Sequence, residues 1–453
     1  MKIMNFIKKY KNISQLKKNV FSGSILSGID ILVSMISYPI YLKYLGVEKY
    51  GLWTLVSIVL SLTQIGQFSI GTAIVKYVAG NYGKKDFKAI TEYITTSIFI
   101  LIVPSLIIIG VLSLFKTQIA VFIGVKEFFI NDGERLVFFV GLLSVYTFFA
   151  DLIKSVVIGI GRMDITNNIL FFGRMFQIIL SVCLLMLGNG IWSLYFGFLL
   201  YYVLTSMALF CIVKYSYHIK IFNPFAFRKE KLNELINFGG SLTLKNLVLM
   251  LVMPFNRVII SKYVGLSEVA YYQIAIQVIS AVRGFFYKGL EALLPKISEI
   301  HSEGVGSVKS ILSVNKKGIH FVFFGAFPLF LSIFIFANPI LKLWLGKEFD
   351  IQIAIALKIL LIGWFFNILT VPDTMMFIGI GKVNYSVIAA CLKAVPNVIV
   401  IFVLIFLHIH FTLTKVVVID SICLVLPSIY LKYKCFEYRK AGLASQVISY
   451  EKQ

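Results

Sequence analysis

The sequence predicts an all-α integral membrane protein with two related halves. Three observations lead to this fold class: the composition, a series of long apolar windows and an internal repeat. Apolar residues make up 59% of the 453 residues, charged residues make up only 14%, and the mean hydropathy is +0.89. A soluble domain carries about 25% charged residues, so lipid rather than water is the expected solvent for most of this chain.

Long apolar windows predict the number of spans. About twelve windows of 18 or more mostly apolar residues are long enough to cross ~30 Å of hydrocarbon as helices. The first six lie near 20–41, 52–78, 94–115, 136–160, 167–187 and 190–213. The second six lie near 238–261, 270–293, 319–341, 354–380, 385–407 and 412–431. An even number of spans returns the chain to its starting side, so we expect two six-helix lobes related by a parallel repeat, with a pseudo-twofold axis along the membrane normal.

Two repeated motifs support this duplication. Residues 43–47 read Lys-Tyr-Leu-Gly-Val, and residues 262–266 read Lys-Tyr-Val-Gly-Leu. Ile-Gly-Ile-Gly-Arg at 158–162 recurs as Ile-Gly-Ile-Gly-Lys at 378–382, again about 220 residues later. We interpret the Gly-Ile-Gly segments as structural turns. No Gly-x4-Gly-Lys-Ser/Thr phosphate loop occurs, so the chain is not expected to be its own ATPase.

The basic residues predict the orientation of the chain. Its 43 Lys and Arg residues against 21 Asp and Glu residues give a net charge of +22. Most basic residues outside the spans fall in the termini and the even-to-odd connections, which places both termini in the cytoplasm. The N-terminus is expected to be an interfacial helix or only a topogenic charge cluster. The predicted segments are a basic amphipathic N-terminus at 1–19, an N-lobe at 20–213, a basic cytoplasmic linker at 214–237, a C-lobe at 238–431 and a cytoplasmic tail at 432–453.

Charges at membrane depth are the candidate functional residues. Each charge that faces lipid costs roughly 2.5–3.5 kcal/mol, so these side chains are expected to face water, a counter-ion or a bound anion. The candidate substrate-cavity residues are Arg283, Arg257, Lys245, Lys288, Lys76, Arg174 and Lys393. The candidate coupling residues or cavity counter-ions are Asp30, Asp420, Asp151 and Asp373. Basic residues outnumber acidic ones within the spans, so pairing leaves an excess of positive charge.

Several of these charges have a simpler interpretation. Two pairs stand three residues apart and are spaced as local ion pairs: Asp151 with Lys154, and Lys288 with Glu291. Three cations are near enough to helix ends to reach the headgroups: Lys76, Lys358 and Arg257. Arg283 has no acid three or four positions away and lies near mid-bilayer, so we prefer a cavity-lining role for it. Arg174 and Lys393 occupy nearly matching points of the fifth helix of each half.

A cationic interior predicts an anionic ligand held between the two lobes. Guanidinium groups bind phosphate oxygens through paired donors, whereas lysine supplies a point charge. Asp30 and Asp420 are candidates to bind a coupling proton or cation, or to act as partners of the arginines. Pro254 is a candidate hinge because proline removes a backbone hydrogen bond and bends a helix, with a static kink as the alternative. The five cysteines show no disulfide or zinc spacing, so no metal is expected.

A family resemblance rests on residues 42–53, Leu-Lys-Tyr-Leu-Gly-Val-Glu-Lys-Tyr-Gly-Leu-Trp. This turn resembles the corresponding turn of bacterial polysaccharide flippases of the multidrug/oligosaccharidyl-lipid/polysaccharide exporter superfamily. The predicted span count, the repeat and the missing ATP-binding motif agree with it. The resemblance implies a cavity lined mainly by the first two helices of each lobe. The charged residues of those helices are Asp30, Lys76, Lys245, Arg257, Arg283 and Lys288.

The resemblance implies a transporter of the bacterial inner (plasma) membrane. Such a flippase moves undecaprenyl-diphosphate-linked oligosaccharide repeat units to the outer leaflet by alternating access, for O-antigen or capsule biosynthesis. It is not an enzyme, and its only expected cofactor is a coupling proton or sodium ion. Its expected partners are the lipid-linked substrate, the bilayer and other polysaccharide assembly proteins, without nucleic acid. Two alternatives stay open: a multidrug/toxin extrusion-type cation antiporter, and a membrane glycan polymerase or transferase.

Overall fold

The described part of the chain is helical throughout. A computed structural model describes the backbone of residues 15–67, 70–291, 293, 297, 300–301 and 307–450, and these contain no strand. The chain divides into two units, Met1–Met250 and Leu251–Gln453. Most of the predicted interfacial N-terminus at 1–19 lies outside the described residues.

In its described residues the first unit contains seven α-helices and the beginning of an eighth. They are α1 Gln15–Leu45, α2 Val47–Thr63, α3 Ile70–Gly83, α4 Phe87–Ile123, α5 Ile130–Gly159, α6 Met163–Met186, α7 Trp192–Cys211 and α8 Lys229–Tyr263. The core of this unit is built where α3, α4 and α5 meet, around the fully buried residues Ile74, Ile90 and Phe148. Where lipid is the solvent, close packing of such side chains, rather than their removal from water, holds the helices together within the unit.

Two breaks interrupt the helices at the start of the first unit, one in the predicted connection between two spans and one inside a predicted span. Gly46, with φ +77°, separates α1 from α2, and the segments Val33–Leu45 and Val47–Thr63 are bent by 120°. A φ of this sign is open to glycine without steric cost. The predicted span at 52–78 is not one continuous helix, because a 3₁₀ turn at Gln64–Gln67 follows α2 before α3 begins.

The part of the second unit that the structure describes contains the rest of α8 and seven further α-helices. These are α9 Leu266–Glu291, α10 Ser307–Ile335, α11 Ala337–Leu345, α12 Ile351–Ile368, α13 Val371–Gly379, α14 Val383–Phe406 and α15 Leu413–Tyr450. One buried cluster brings α10, α13 and α15 together through Ile311, Met376, Phe377 and Leu431.

The helices are long and apolar enough for a multi-pass membrane protein. Within the described residues nine helices meet the requirement for a span, and a tenth is added if the bent pair formed by α1 and α2 is one span. The all-α membrane fold is therefore established, whereas the number twelve and the two six-helix lobes remain predictions. Two predicted windows, 20–41 and 238–261, fall in α1 and α8, whose side chains are described only in part.

The Gly-Ile-Gly repeats form the same helix-ending turn in each unit. Gly161 has φ +87° and Gly381 has φ +77°. In each case the next residue, Arg162 or Lys382, donates its backbone N–H to the carbonyl five positions earlier, at 3.1 Å and 2.8 Å. This pattern, with a left-handed glycine after the last helical turn, is a common way to satisfy terminal carbonyls. The interpretation of these segments as structural turns is confirmed.

The basic linker after α7 packs along the beginning of α4. The backbone N–H of Asn223 donates to Thr95 Oγ1 at 3.2 Å, and the N–H of Arg228 donates to Thr96 Oγ1 at 3.3 Å. The Arg228 guanidinium also lies 3.4 Å from the Glu92 carboxylate. The linker is thus held to the first unit by its backbone as well as by charge.

A small polar cluster continues this attachment at the start of α8. Lys231 Nζ donates to the Tyr93 hydroxyl at 3.0 Å and lies 3.4 Å from Glu234. The hydrogen bond with Tyr93 is the largest influence that raises the pKa of Lys231 above its usual value. The Tyr93 ring stacks on Tyr77 with ring centroids 4.7 Å apart.

Candidate functional site

Among the described residues, two interior cations meet in the second unit around Trp364. The Arg283 guanidinium, from α9, lies 4.9 Å from the centroid of the Trp364 ring. Lys393 Nζ, from α14, lies 4.7 Å from the same ring. Trp364 itself, on α12, is only 4% exposed. A tryptophan face attracts cations through its quadrupole, and this attraction strengthens when the pair is removed from water.

A buried acid interacts with one of these two cations, Lys393. Asp420, on α15, is 1% exposed and accepts a hydrogen bond from the Tyr272 hydroxyl at 3.0 Å. The Tyr272 oxygen in turn accepts from Asn256 Nδ2 at 3.4 Å. Asp420 interacts electrostatically with Lys393. The acid is therefore held by a short polar chain that reaches from α15 through α9 to α8.

Close packing of α12 on α15 positions this site. Gly363 is the neighbour of Trp364, and Ser421 is the neighbour of Asp420. The Gly363 N–H donates to Ser421 Oγ at 3.0 Å, and that hydroxyl donates to the carbonyl of Ile359 at 2.7 Å. A Cβ on Gly363 would come within 2.8 Å of the Ser421 Cα. Glycine at this position therefore allows the two helices to bring Trp364 and Asp420 to the same depth.

The charges of this centre do not cancel. The charged groups that act on Lys393 are Asp420 and Arg283, so two cations face one acid. Among the described residues, Arg283 Nε and Trp364 Nε1 are buried donors without a hydrogen-bond acceptor. An unmatched buried polar group costs about 1–3 kcal/mol. A centre with a net positive charge and unmatched donors is suited to an anion with several oxygens.

The first unit holds a more fully satisfied arginine at the matching helix. Arg174, on α6, donates from Nη1 to Gln177 Oε1 at 2.7 Å and from Nη2 to Ser34 Oγ at 3.2 Å. Its guanidinium also lies 5.8 Å from the centroid of the Phe198 ring. Arg174 and Lys393, which were predicted to correspond, thus each lie near an aromatic ring, Phe198 in the first unit and Trp364 in the second. Arg174 already has protein acceptors, so Arg283 and Lys393 are the better ligand-binding candidates.

Two further candidates lie on α8. Arg257 donates from Nη2 to Gln273 Oε1 on α9, which links the first two helices of the second unit. Pro254 is buried within α8, and that helix runs continuously from Lys229 to Tyr263. Its role as a hinge remains a prediction.

Two of the acidic candidates are engaged in ion pairs. Asp151 pairs with Lys154 on α5 and accepts from Gln67 Nε2 at 3.2 Å, so the predicted local ion pair is formed. Asp373 is fully buried and lies 2.6 Å from Lys432 Nζ. Lys432 is roughly 18 Å from Asp420 along α15, at 1.5 Å per residue. Asp373 is therefore a counter-ion in a different part of the unit from the Trp364 centre.

The structure shows few side-chain contacts for the remaining candidates. The Lys76 side chain is exposed, and its Nζ lies 5.2 Å from the Tyr77 ring centroid. The side chains of Lys245, Lys288 and Asp30 lie outside the described residues, although their backbones belong to α8, α9 and α1. In the described chain no group of three or more His, Cys, Asp or Glu residues is arranged to hold a metal ion.

Sequence reasoning missed the uncharged members of the Trp364 centre. Trp364, Tyr272 and Asn256 lie in apolar windows where a single polar or aromatic residue attracts little attention. Asn256 and Asn397 are fully buried, and a carboxamide inside an apolar span is a signal that could have been used. Polar residues at membrane depth usually face the interior of a helical bundle.

Solved structures with the same fold are membrane transporters. The chain aligns with an inward-facing multidrug resistance MATE family transporter of the MOP superfamily with a TM-score of 0.78 and 16% identity, over 91% of this chain and 96% of that one. For the lipid II flippase MurJ in an inward closed conformation the TM-score is 0.72 and the identity 14%, over 95% and 92%. A MOP superfamily transporter from Pyrococcus furiosus, described as having a binding pocket of reverse polarity, gives 0.65 and 17% over 96% and 98%. At these identities the similarity establishes the fold.

Sequence comparisons identify the family. A Shigella flexneri protein named "Putative O-antigen transporter" is 27% identical over 160 residues, which are 35% of this chain and 37% of that protein. The match thus spans little more than a third of that relative. The family described as "Polysaccharide biosynthesis protein" matches residues 43–354, more than half of the chain. The predicted resemblance is confirmed in family and fold, and this chain belongs to the polysaccharide biosynthesis protein family.

Proposed function

We propose that this protein is a flippase for lipid-linked oligosaccharides. It would carry undecaprenyl-diphosphate-linked repeat units from the cytoplasmic to the outer leaflet of the bacterial inner membrane, for O-antigen or capsule biosynthesis. The cationic centre at Trp364 would hold the diphosphate, while the lipid tail stays in the bilayer. Family membership, the O-antigen transporter named in Shigella flexneri and the fold shared with the flippase MurJ support the proposal.

The observation that carries the proposal is the charge of the Trp364 centre. Arg283 and Lys393 approach one buried ring and are opposed by a single carboxylate, Asp420. A guanidinium offers paired donors to phosphate oxygens, and a lysine adds a mobile point charge. The diphosphate of a polyprenyl carrier is the part common to all such substrates. A centre that binds the diphosphate would therefore accept substrates that carry different glycans.

Transport would proceed by alternating access without ATP hydrolysis by this chain. A ligand shifts a conformational equilibrium only as far as its affinities for the two states differ. Twelve spans and two cytoplasmic termini complete the proposed topology. A proton or sodium ion is the proposed coupling ion, and Asp420 is the preferred acid because its Oδ1 is buried without a described donor. Asp151 and Asp373 already pair with lysines.

Substitution of Arg283 tests this assignment. In a strain that lacks the chain, we expect Arg283→Gln to restore surface glycan roughly tenfold less well than the unchanged protein, because charged hydrogen bonds to phosphate are lost. Arg283→Lys should restore an intermediate amount, since the charge remains without the paired donors. Surface glycan and membrane abundance of the protein would both be measured.

Lys358→Gln is the matched control for this experiment. Lys358, on α12, is half-buried and cationic like Arg283, but its Nζ lies 5.9 Å from the Phe334 ring and not at Trp364. We expect this variant to restore surface glycan as well as the unchanged protein. If Arg283→Gln did the same at equal abundance, the Trp364 centre would not be the substrate site.

The two alternative functions make different demands on the site. A cation antiporter needs acidic groups to bind organic cations, whereas the Trp364 centre has an excess of positive charge. Loss of resistance to cationic dyes on deletion, with surface glycan intact, would favour the antiporter. A polymerase or transferase would be supported only if the purified protein lengthened or transferred a lipid-linked glycan.

A further inference from the structure

A polar pocket of different composition lies in the first unit. It has a volume of about 240 Å³ and is lined by residues of α5, α6, α7 and the segment that follows α2. Its lining residues are Gln64, Ala150, Asp151, Lys154, Leu170, Tyr201, Tyr202, Thr205, Ser206 and Leu209. At ~30 Å³ for each water molecule this space would hold about eight waters. It is therefore large enough for a small polar molecule.

The charges that line this cavity compensate each other. Asp151 and Lys154 form an ion pair within α5, and Gln67 Nε2 donates to the same carboxylate at 3.2 Å. In contrast to the Trp364 centre, the pair leaves no excess of either sign. An ionic ligand gains little from a neutral lining and loses its hydration on entry. The cavity is suited to a ligand without net charge.

The remaining lining offers both polar and apolar contacts. Gln64 and the hydroxyl of Tyr202 can donate as well as accept hydrogen bonds, and the Thr205 hydroxyl, which donates to the carbonyl of Tyr201 at 2.7 Å, can accept one. Leu170 and Leu209 add apolar surface in the same space. A sugar ring presents hydroxyls around its edge and C–H groups on its faces, so it can use both kinds of contact. Among small molecules without charge, this combination favours a monosaccharide ring.

A break in the helical backbone adjoins the cavity. The 3₁₀ turn Gln64–Gln67 follows α2. Gln64 lines the cavity, and Gln67 donates a hydrogen bond to Asp151. Interrupted spanning helices of transporters often form substrate sites, because irregular backbone is tolerated where it lines a cavity. A Cβ on Gly66 would come within 3.3 Å of Phe148 and 3.4 Å of Pro104. The turn is thus closely packed on the helices behind it.

We propose that this cavity binds one uncharged sugar ring of the glycan, with Asp151 and Lys154 as its paired hydrogen-bonding groups. The inference rests on the proposed flippase function for its biological role. Its binding chemistry is independent of that role. The first unit would then contribute to glycan selection, whereas Arg283 and Lys393 in the second unit would bind the diphosphate that all such substrates share.

Binding of simple glycosides to the purified full-length protein in lipid nanodiscs tests the proposal. The probes are the methyl glycosides of glucose, galactose, mannose and N-acetylglucosamine, with methyl glucuronide and methyl glucosaminide as the anionic and cationic comparisons. Saturation-transfer NMR would detect millimolar binding. We expect at least one uncharged glycoside to bind, with roughly tenfold preference over its charged counterparts.

Single substitutions of the ion pair should reverse this preference. Asp151→Asn leaves Lys154 unbalanced, so the variant should favour the glucuronide over the uncharged glycoside. Lys154→Gln leaves Asp151 unbalanced and should favour the glucosaminide. Thr205→Val should weaken uncharged glycoside binding by several-fold without changing the charge preference, because one hydrogen-bonding group is lost. A gain of binding by a charged sugar cannot arise from misfolding.

Glu134→Gln is the matched control on the same helix. Glu134 pairs with Lys116 at 3.7 Å near the other end of α5, outside the cavity, so this variant should keep the original preference. Absence of glycoside binding at 50 mM, or binding that the Asp151 and Lys154 variants leave unchanged, would overturn the inference. Either result would leave the flippase assignment standing, since that assignment is judged by glycan transport in cells.

Discussion

At the scale of single residues, this protein uses its interior charges in two distinct ways. Around Trp364 two cations share one aromatic face and outnumber the nearby acid. At Asp151 and Asp373, by contrast, each carboxylate has its own lysine. The first arrangement leaves charge available for a ligand, and the second satisfies it within the protein. The distinction follows from which helices meet at each charge.

Asp373 provides a stability test of the second arrangement. Its side chain is 0% exposed, whereas its partner Lys432 is 43% exposed. Lys432→Met should destabilise the protein by about 3–5 kcal/mol, because it leaves a buried carboxylate unpaired. Asp373→Asn should cost about 1 kcal/mol, since Asn315 can still donate to the new side chain and Lys432 can still reach water. Thermal unfolding of the purified variants would measure this asymmetry.

The double variant Asp373→Asn/Lys432→Met controls for the loss of the lysine itself. It should be more stable than Lys432→Met alone, because the unpaired charge is gone. Equal stability of the two would mean that the carboxylate is not held by Lys432.

Lys432 falls in the predicted cytoplasmic tail and was not among the candidates, but the other charged members of both arrangements could be named from the sequence, because a charge in an apolar window is conspicuous. Their grouping could not. Arg283, Lys393 and Asp420 come from three separate helices, and only tertiary packing brings them to Trp364. Trp364 was missed because an aromatic residue in an apolar span is compatible with lipid, and its role depends on the two cations that approach it.

At the scale of secondary-structure elements, the sequence predicted the repeated glycine turns but not the break in the helix that follows α2. The Gly-Ile-Gly repeat predicted a matching turn in each half, and Gly161 and Gly381 adopt the same left-handed conformation. The break at Gln64–Gln67 was not predicted, because the window 52–78 is apolar without interruption by proline. A break of this kind depends on the side chains that the neighbouring helices supply, here including Asp151.

Substitution of these turn glycines should destabilise both units to a similar degree. Gly161→Ala and Gly381→Ala should each cost about 1–2 kcal/mol, because a Cβ clashes with the backbone in the left-handed region. No other atom lies within 4 Å of the added Cβ at either site, so the cost is conformational. Thermal unfolding would measure it.

Gly80→Ala is the control for these substitutions. Gly80 lies within α3, also with no atom within 4 Å of an added Cβ, and alanine favours a helix over glycine by roughly 0.5–1 kcal/mol. This variant should be as stable as the unchanged protein or more so. A stable Gly161→Ala variant would mean that the left-handed turn is not required.

At the scale of the whole molecule, composition was enough to predict the membrane fold, since only helices satisfy their backbone within one apolar segment. The repeat predicted two related halves. It did not predict that their interiors differ, with a charge-compensated cavity in one unit and a positively charged centre in the other. That difference arises from a few side chains, and so sequence periodicity carries little information about it.

The central claim is that the protein moves a lipid-linked glycan across the membrane, and its leaflet distribution tests this most directly. Spheroplasts of cells that lack the chain would be probed with a glycan-binding reagent that does not cross the membrane, then lysed and probed again. We expect single repeat units to stay hidden until lysis, and to become accessible before lysis when the unchanged protein, but not Arg283→Gln, is restored. Repeat units already exposed on intact spheroplasts without the protein would contradict the flippase assignment and indicate a later step of polysaccharide assembly.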